Sequence, residues 1–434
     1  AAARSLAALT SSNRRGGAIG SRAPDEMRNR LTLVAITLLC CIIGYHVMGP
    51  SKSTTVEVKV RSYGPRSTKP IPDTQIVSVP YSKQKMLDSC RGRGRVDGTQ
   101  QMKVLVTGTA GFIGHGTAKA LWDRGDGVVG LDNFNDYYSI PLKRARAQDL
   151  EDMGVYTVEG DLNDRELLAE LFRLCKFTHV IHLAAQAGVR YAAKNPMSYV
   201  KSNLAGTVTL AEVMKEQNPI PALVFASSSS VYGLNTKTPF SEDDRVDQPA
   251  SLYAATKKAD EMITHTYFNI HGMSITALRF FTVYGPMGRP DMAAFSFTKA
   301  IFEGRPIDIF QGPGGSELQR DFTFIDDIVA GVIGSTDTAP PSSKATATFR
   351  IFNLGNTNPT SVSDFVAILE KHIGRTAIRN YIPVPPTGDV LATHADITKA
   401  KEAFGYTPQT NLDEGLRRFV QWYKDFYIRD KHEY

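Results

Sequence analysis

With 434 residues, 42% apolar and 22% charged, the chain has the length of one enzyme with appendages and enough apolar mass for a large core. Its net charge of +6 is unevenly placed: residues 1–101 hold 16 Lys and Arg against 6 Asp and Glu, and residues 102–434 hold 34 against 38. The basicity belongs to the N-terminal part, and a slightly acidic body argues against nucleic-acid binding, which needs clustered Lys and Arg for phosphate.

Residues 1–30 form an Arg- and Ala-rich tail that admits two readings. It is a targeting peptide, or Met27 of MRNR is the true start. From Leu31 to Ser51 the chain is free of charge, and residues 31–49 are predicted to be one transmembrane helix, since roughly 20 residues span a bilayer. A buried core helix or a cleaved signal peptide would share this composition, but no small-residue cleavage site follows. Three Lys or Arg in 21–30 against two in 50–59 lean toward a cytosolic N-terminus. Residues 50–101, rich in Pro, Ser, Gly and basic residues and ending in RGRGRVDGTQ, are predicted to be a flexible stem. Of the four cysteines, Cys40 and Cys41 are adjacent, while Cys90 and Cys175 lie far apart, so no disulfide framework can be read.

From Met102 the pattern changes. KVLVTG, VVGLDNF, THVIHLAA, ALVFASSS and SITALRFF are short apolar runs separated by helical stretches. This alternation predicts an α/β fold, a Rossmann-type doubly wound parallel sheet. We assign 102–284 to this nucleotide-binding domain and 285–430, where strands shorten and Pro and Gly increase, to a smaller substrate-binding lobe.

Three motifs carry chemistry. Gly108-Thr-Ala-Gly111-Phe-Ile-Gly114 follows the first strand and opens a helix, where glycines let the backbone approach a pyrophosphate. The spacing is GxxGxxG rather than GxGxxG, and three glycines alone also describe an ordinary turn. Asp132, 24 residues beyond Gly108, ends the second strand, where a carboxylate holds ribose hydroxyls and repels a 2′-phosphate; this favours NAD over NADP. Tyr253 and Lys257 are spaced i, i+4 and share a helix face, so the ammonium stabilises the phenolate form of a group otherwise too weak a base. Ser227–Ser230, ahead of Val-Tyr-Gly, end a strand and would need buried partners in a core, so they are placed at the ligand crevice.

In this order, GTAGFIG, HLAA, SSSSVYG, YAATK and RFFTVYGP resemble the extended short-chain dehydrogenase/reductase superfamily, sugar-nucleotide branch. Across residues 102 to about 427, LDNFNDYY, AAQAGVRYA, RFFTVYGPMGRPDM, RDFTFIDDIV and FNLGNTNP are similar to plant-type UDP-glucuronate 4-epimerases. The resemblance implies reversible 4-epimerisation of UDP-glucuronate through a 4-keto sugar, with tightly bound NAD as cofactor. It implies Tyr253, Lys257 and Ser228 as catalytic groups. Its cofactor contacts are Gly108, Gly111, Phe112, Ile113, Gly114, Asp132, Asp161, Leu162, Ala184, Ala185 and Lys257, and its substrate contacts are Ser229, Ser230, Thr282, Arg289, Arg320, Asn203 and Asp389, with Lys194 on the pocket floor. Related dehydratases place Asp-Glu before Val-Tyr-Gly and decarboxylases place Glu there; here both positions, Ser229 and Ser230, are hydroxyls, which leaves epimerisation. Thr282 stands where galactose epimerases carry Asn.

Two departures stand out: His115-Gly116 after the last glycine, and Pro385-Pro386-Thr387 where relatives place a base before Gly-Asp. The alternatives are a UDP-glucose/galactose 4-epimerase and a catalytically silent, membrane-tethered NAD-binding scaffold. No metal is expected. The family implies a homodimer through the YAATK helix, and an anchor with a stem on such an enzyme suggests the Golgi lumen.

Overall fold

The computed structural model describes residues 80–386 and 388–432. The predicted membrane helix and most of the stem lie outside them. Among the described residues no helix is long and apolar enough to cross a membrane.

The strands are β1 (Lys103–Thr107), β2 (Gly127–Asp132), β3 (Tyr156–Glu159), β4 (His179–His182), β5 (Ala222–Ser228), β6 (Ile275–Phe280), β7 (Thr282–Tyr284), β8 (Pro306–Gln311), β9 (Gln319–Phe324), β10 (Phe349–Leu354), β11 (Pro359–Ser361) and β12 (Ile378–Pro383). Seven form one parallel sheet in the order β10-β6-β5-β4-β1-β2-β3. The winding reverses between β1 and β4, and such a switch point opens a crevice at the strands' carboxyl ends. In register, Thr107 pairs with both Leu131 and His182, so the ends of β1, β2 and β4 form one rim. Strands β2 and β6 are buried throughout, as expected of a sheet covered by helices on both faces.

Two elements correct the sequence-based boundaries. Strand β10, from the stretch assigned wholly to the smaller lobe, returns to pair with β6. Its pattern, FRIFNL, is an ordinary short apolar run whose partner lies 74 residues upstream, which local periodicity does not reveal. The lobe proper is built on the sheets β11-β9-β7 and β12-β8.

The second correction is at the stem. Residues Lys83–Arg91 form a helix, capped by Ser82, whose Met86, Ser89 and Cys90 are buried. Met86 and Cys90 pack with Leu105, Val129 and Val158 of the sheet. A disulfide joins Cys90 to Cys175, with Cα atoms 6.0 Å apart and a sequence separation of 85. The last part of the stem is thus docked on the enzyme body. Closing so long a loop restricts the unfolded chain, and Cys90→Ser is expected to cost about 2–4 kcal/mol. Thermal melts with and without reductant check this: the wild type should lose several degrees on reduction and the variant none.

Candidate active site

The catalytic helix Leu252–His271 starts at Ser251, whose side chain accepts from the Ala254 amide at 3.1 Å, and stops at Gly272 in the left-handed region (φ +67°). Behind it runs a buried ion pair: Arg279 of β6 donates to both oxygens of Glu261 at 2.9 and 3.0 Å. Ser227 donates to the same Glu261 at 2.7 Å. This network welds the helix to the end of β5, so the serine turn and Tyr253 hold a fixed relation. Ser227 is thereby turned away from solvent, and the Ser228 hydroxyl oxygen accepts from the Ser230 amide at 3.1 Å.

A cleft of about 940 Å³ opens above the switch point. Tyr253, Lys257, Ser228, Ser229, Ser230, Thr282, Arg289, Arg320, Asp389 and Lys194 line it, together with Gly108, Gly111, Phe112, Ile113, Gly114, Asp132, Asp161, Leu162, Ala184 and Ala185. Tyr253 presents its ring edge to Tyr199, with centroids 6.2 Å apart.

Asn203 does not line the cleft, which corrects its expected place on the substrate. Its amide is fully used: it accepts from the Gln186 amide at 2.8 Å and donates to Gln186 O at 3.1 Å and Thr256 Oγ1 at 3.0 Å. It ties the loop after β4 to the catalytic helix, and its neighbour Ser202 faces the cleft instead.

The glycine bend fits a dinucleotide. Gly108 has φ +76°, and a Cβ there would meet the Ala184 amide nitrogen at 2.7 Å. Gly111 caps the helix Phe112–Asp123 with no side-chain hydrogen bond, leaving the first amides to a ligand. Asp132 accepts from the amides of Ala110 (3.0 Å) and Phe134 (2.9 Å). Burial raises its proton affinity, against the pull of those amides and of Lys143. Asp161 gathers the Asn163 amide at 2.9 Å and the Asn133 side chain at 3.2 Å. Burial is outweighed by these bonds, and its carboxyl is held below the usual range. Gly116, one of the departures, lets Val329 approach the helix; a Cβ would meet it at 3.0 Å.

The sequence reading missed several residues of the cleft and one, Arg146, behind it. Lys143 is buried and donates to Asn135 at 2.6 and 2.8 Å. Burial pushes its ammonium down to about 8, despite Asp132. Arg190 forms a two-point pair with Asp389, at 2.9 and 3.1 Å, while Arg320 stands 4.0 Å from the same carboxylate. Asp291 grips Arg289, with Nε to Oδ1 at 3.0 Å, and accepts from Tyr137 at 3.0 Å. Burial disfavours the Arg289 charge, but Asp291 more than offsets this and holds the guanidinium protonated. Arg146, fully buried, donates to Ala110 O (2.8 Å) and Met287 O (2.6 Å), joining the glycine bend to the loop carrying Arg289. None of these sits in a spacing motif; LDNFNDYY, AAQAGVRYA and RFFTVYGPMGRPDM, in which Tyr137, Arg190 and Asp291 lie, are the signals that could have found them.

A glycine bend at the switch point, a Tyr-x-x-x-Lys helix and a hydroxyl-bearing strand end in one cleft define a dinucleotide-dependent enzyme of short-chain dehydrogenase type. A family model described as GDP-mannose 4,6 dehydratase matches residues 105–419, and the chain belongs to that family. It is 60% identical over 332 residues to UDP-glucuronate 4-epimerase 1 of Arabidopsis thaliana, covering 75% of this chain and 77% of the relative. UDP-glucuronate 4-epimerase 5 of Arabidopsis thaliana is 52% identical over 410 residues, covering 93% and 91%. Among solved structures, UDP-glucuronic acid 4-epimerase from Bacillus cereus, in complex with UDP-glucuronic acid and NAD, is similar with a TM-score of 0.68 and 34% identity, covering 75% of this chain and 99% of that one.

Proposed function

We propose that the chain interconverts UDP-glucuronate and UDP-galacturonate by NAD-dependent 4-epimerisation. The observation that carries it is that Ser228, Ser229, Ser230, Thr282 and Arg289 line the same cleft as Tyr253 and Lys257, with no carboxyl group in the serine turn. An acid there would drive elimination of water or loss of CO2. Hydroxyls and a guanidinium bind a carboxylate instead.

Bound NAD supplies reversible hydride exchange with C4 of the sugar. The protein's residues do the rest. Tyr253 takes the proton of the 4-hydroxyl, directly or through Ser228, and returns it after the 4-keto sugar has turned over. Lys257, one helical turn on, stabilises the phenolate. A 4-keto uronate is a β-keto acid that tends to lose CO2, and the grip of Ser229, Ser230, Thr282 and Arg289 restricts the conformations from which that loss occurs. Arg320, largely enclosed, and Arg190, half-exposed at the cleft, both lie beside Asp389 and suit the pyrophosphate, and Arg190 supplies the base missing from Pro385-Pro386-Thr387.

Incubation of the protein with UDP-glucuronate should yield UDP-galacturonate. Accumulation of UDP-xylose would revive a decarboxylase, and preferential turnover of UDP-glucose would favour the glucose/galactose epimerase, which shares Tyr253 and Lys257. Binding of NAD without any turnover would leave the scaffold.

Membrane anchoring through residues 31–49 and a Golgi-luminal body belong to the same proposal. Support comes from the charge-free run of residues 31–49, long enough to span a bilayer, and from the Cys90–Cys175 disulfide, since such bonds persist in oxidising compartments. A homodimer is supported by exposed apolar side chains on the catalytic helix and beside it: Leu252, Met262, Met197 and Val200.

A further inference from the structure

Most buried acids in the molecule are matched by donors. Glu261 has Arg279 and Ser227. Asp126 has Arg95 and Arg124. Asp321 takes the amides of Asn356, Thr357 and Ala395. Asp260 is different. It is fully buried on the catalytic helix, its Oδ2 lies 3.3 Å from Lys257 Nζ, and its Oδ1 has no hydrogen-bond partner among the described residues.

Position gives this acid its consequence. Residues 253, 257 and 260 are spaced four and three apart, so they share one face of the helix. Lys257 sits between the phenol that must lose a proton and a carboxylate that competes for the same ammonium. We propose that Asp260 is a positioning residue for Lys257, a counter-ion that draws the ammonium away from the Tyr253 hydroxyl and so sets the acid edge of turnover. This rests on the assignment of Tyr253 as the base.

The neighbours of the pair do not relieve it. From β4, His182 bonds Thr107 at 2.7 Å and Thr207 at 3.1 Å; burial and Lys257 push it down to about 3, so it is neutral. Thr207, on the adjoining helix Gly206–Lys215, touches the carboxylate; the ionisable residues of that helix, Glu212 and Lys215, pair with each other. Glu261, next on the catalytic helix, is claimed by Arg279 of β6. Lys201 leans toward Asp161 at 4.0 Å. Tyr199 and Tyr232 are both held neutral by burial. Strand β5 contributes no ionisable side chain. Lys257 is thus the only cation paired with Asp260 among the described residues, and desolvation still raises the acid to about 6.

Two readouts test the role, using the full chain, wild type against Asp260→Asn and Asp260→Ala. The first is the pH profile of kcat. Seven residues of helix place the carboxylate roughly 10 Å from Tyr253 along the axis. Removing a charge at that range should move the acid edge about one pH unit lower, with KM for the nucleotide sugar within about twofold.

The second readout is the melting temperature against pH, which needs no turnover. An acid raised from 3.8 to about 6 in the folded state stabilises the fold at low pH and loses that contribution as pH climbs through 6. The neutral variants lack this loss. The difference in melting temperature should therefore shift in their favour between about pH 4 and 6 and be constant above. Coincident acid edges in all three proteins, or a melting difference independent of pH, would overturn the proposal. If the wild type fails to epimerise UDP-glucuronate, the functional assignment falls by itself, and the melting series still decides whether Asp260 carries the strained charge.

Discussion

Tyr253→Phe is expected to lower turnover about 10³-fold while leaving NAD bound, the magnitude of losing a positioned proton-transfer group. The substitution removes only the hydroxyl. The ring keeps its edge-on contact with Tyr199, and the glycine bend and the carboxylates of Asp132 and Asp161 remain intact on the far side of the switch point. Initial rates with UDP-glucuronate, together with the NAD released per chain on denaturation, separate the two effects. Near-normal rates in the variant would show that another group moves the proton.

Arg289→Ala has the second largest expected effect, and its signature lies in the products. A charge-assisted two-point contact to a carboxylate contributes about 1.5–3 kcal/mol, so KM for UDP-glucuronate should rise about 10- to 100-fold. The freed uronate should also lose CO2 more often from its 4-keto form, so UDP-xylose should grow as a fraction of product. Asp291, which holds Arg289 at 3.0 Å, is left unpaired apart from Tyr137, so a melt is the control for a folding defect. An unchanged KM and product ratio would place the carboxylate elsewhere in the cleft.

The cofactor side and the base were legible because each rests on short-range geometry. The positive φ of Gly108 requires glycine whatever surrounds it, and an i, i+4 pair shares a helix face in any fold. Other parts of the site depend on contacts between distant residues. Lys143 meets Asp132 only because the helix Ile140–Met153 packs against β3, the strand paired with β2. Arg190 and Asp389 meet across 199 residues of sequence. Asn203 was placed on the substrate by its position in the family pattern, but the turn of the chain directs its amide to Gln186 and Thr256.

The stem shows the same division. Local composition in 50–101 is that of a linker, yet Met86 and Cys90 are buried against a sheet formed by residues further along the chain. The Cys90–Cys175 bond depends on where the helix Arg165–Cys175 ends, which no count of cysteines reveals.

The alternation of strands and helices, the glycine bend, the Tyr253–Lys257 face and the absence of an acid in the serine turn follow from the amino-acid order alone, since backbone conformation and side-chain period are local properties. The return of β10 to the main sheet, the docking of the stem helix, the hold of Asp291 on Arg289 and the pairing of Lys257 with a buried Asp260 arise from packing. Strand partners, burial and the field at a charged group are sums over residues far apart in the chain, and they exist only once it has folded.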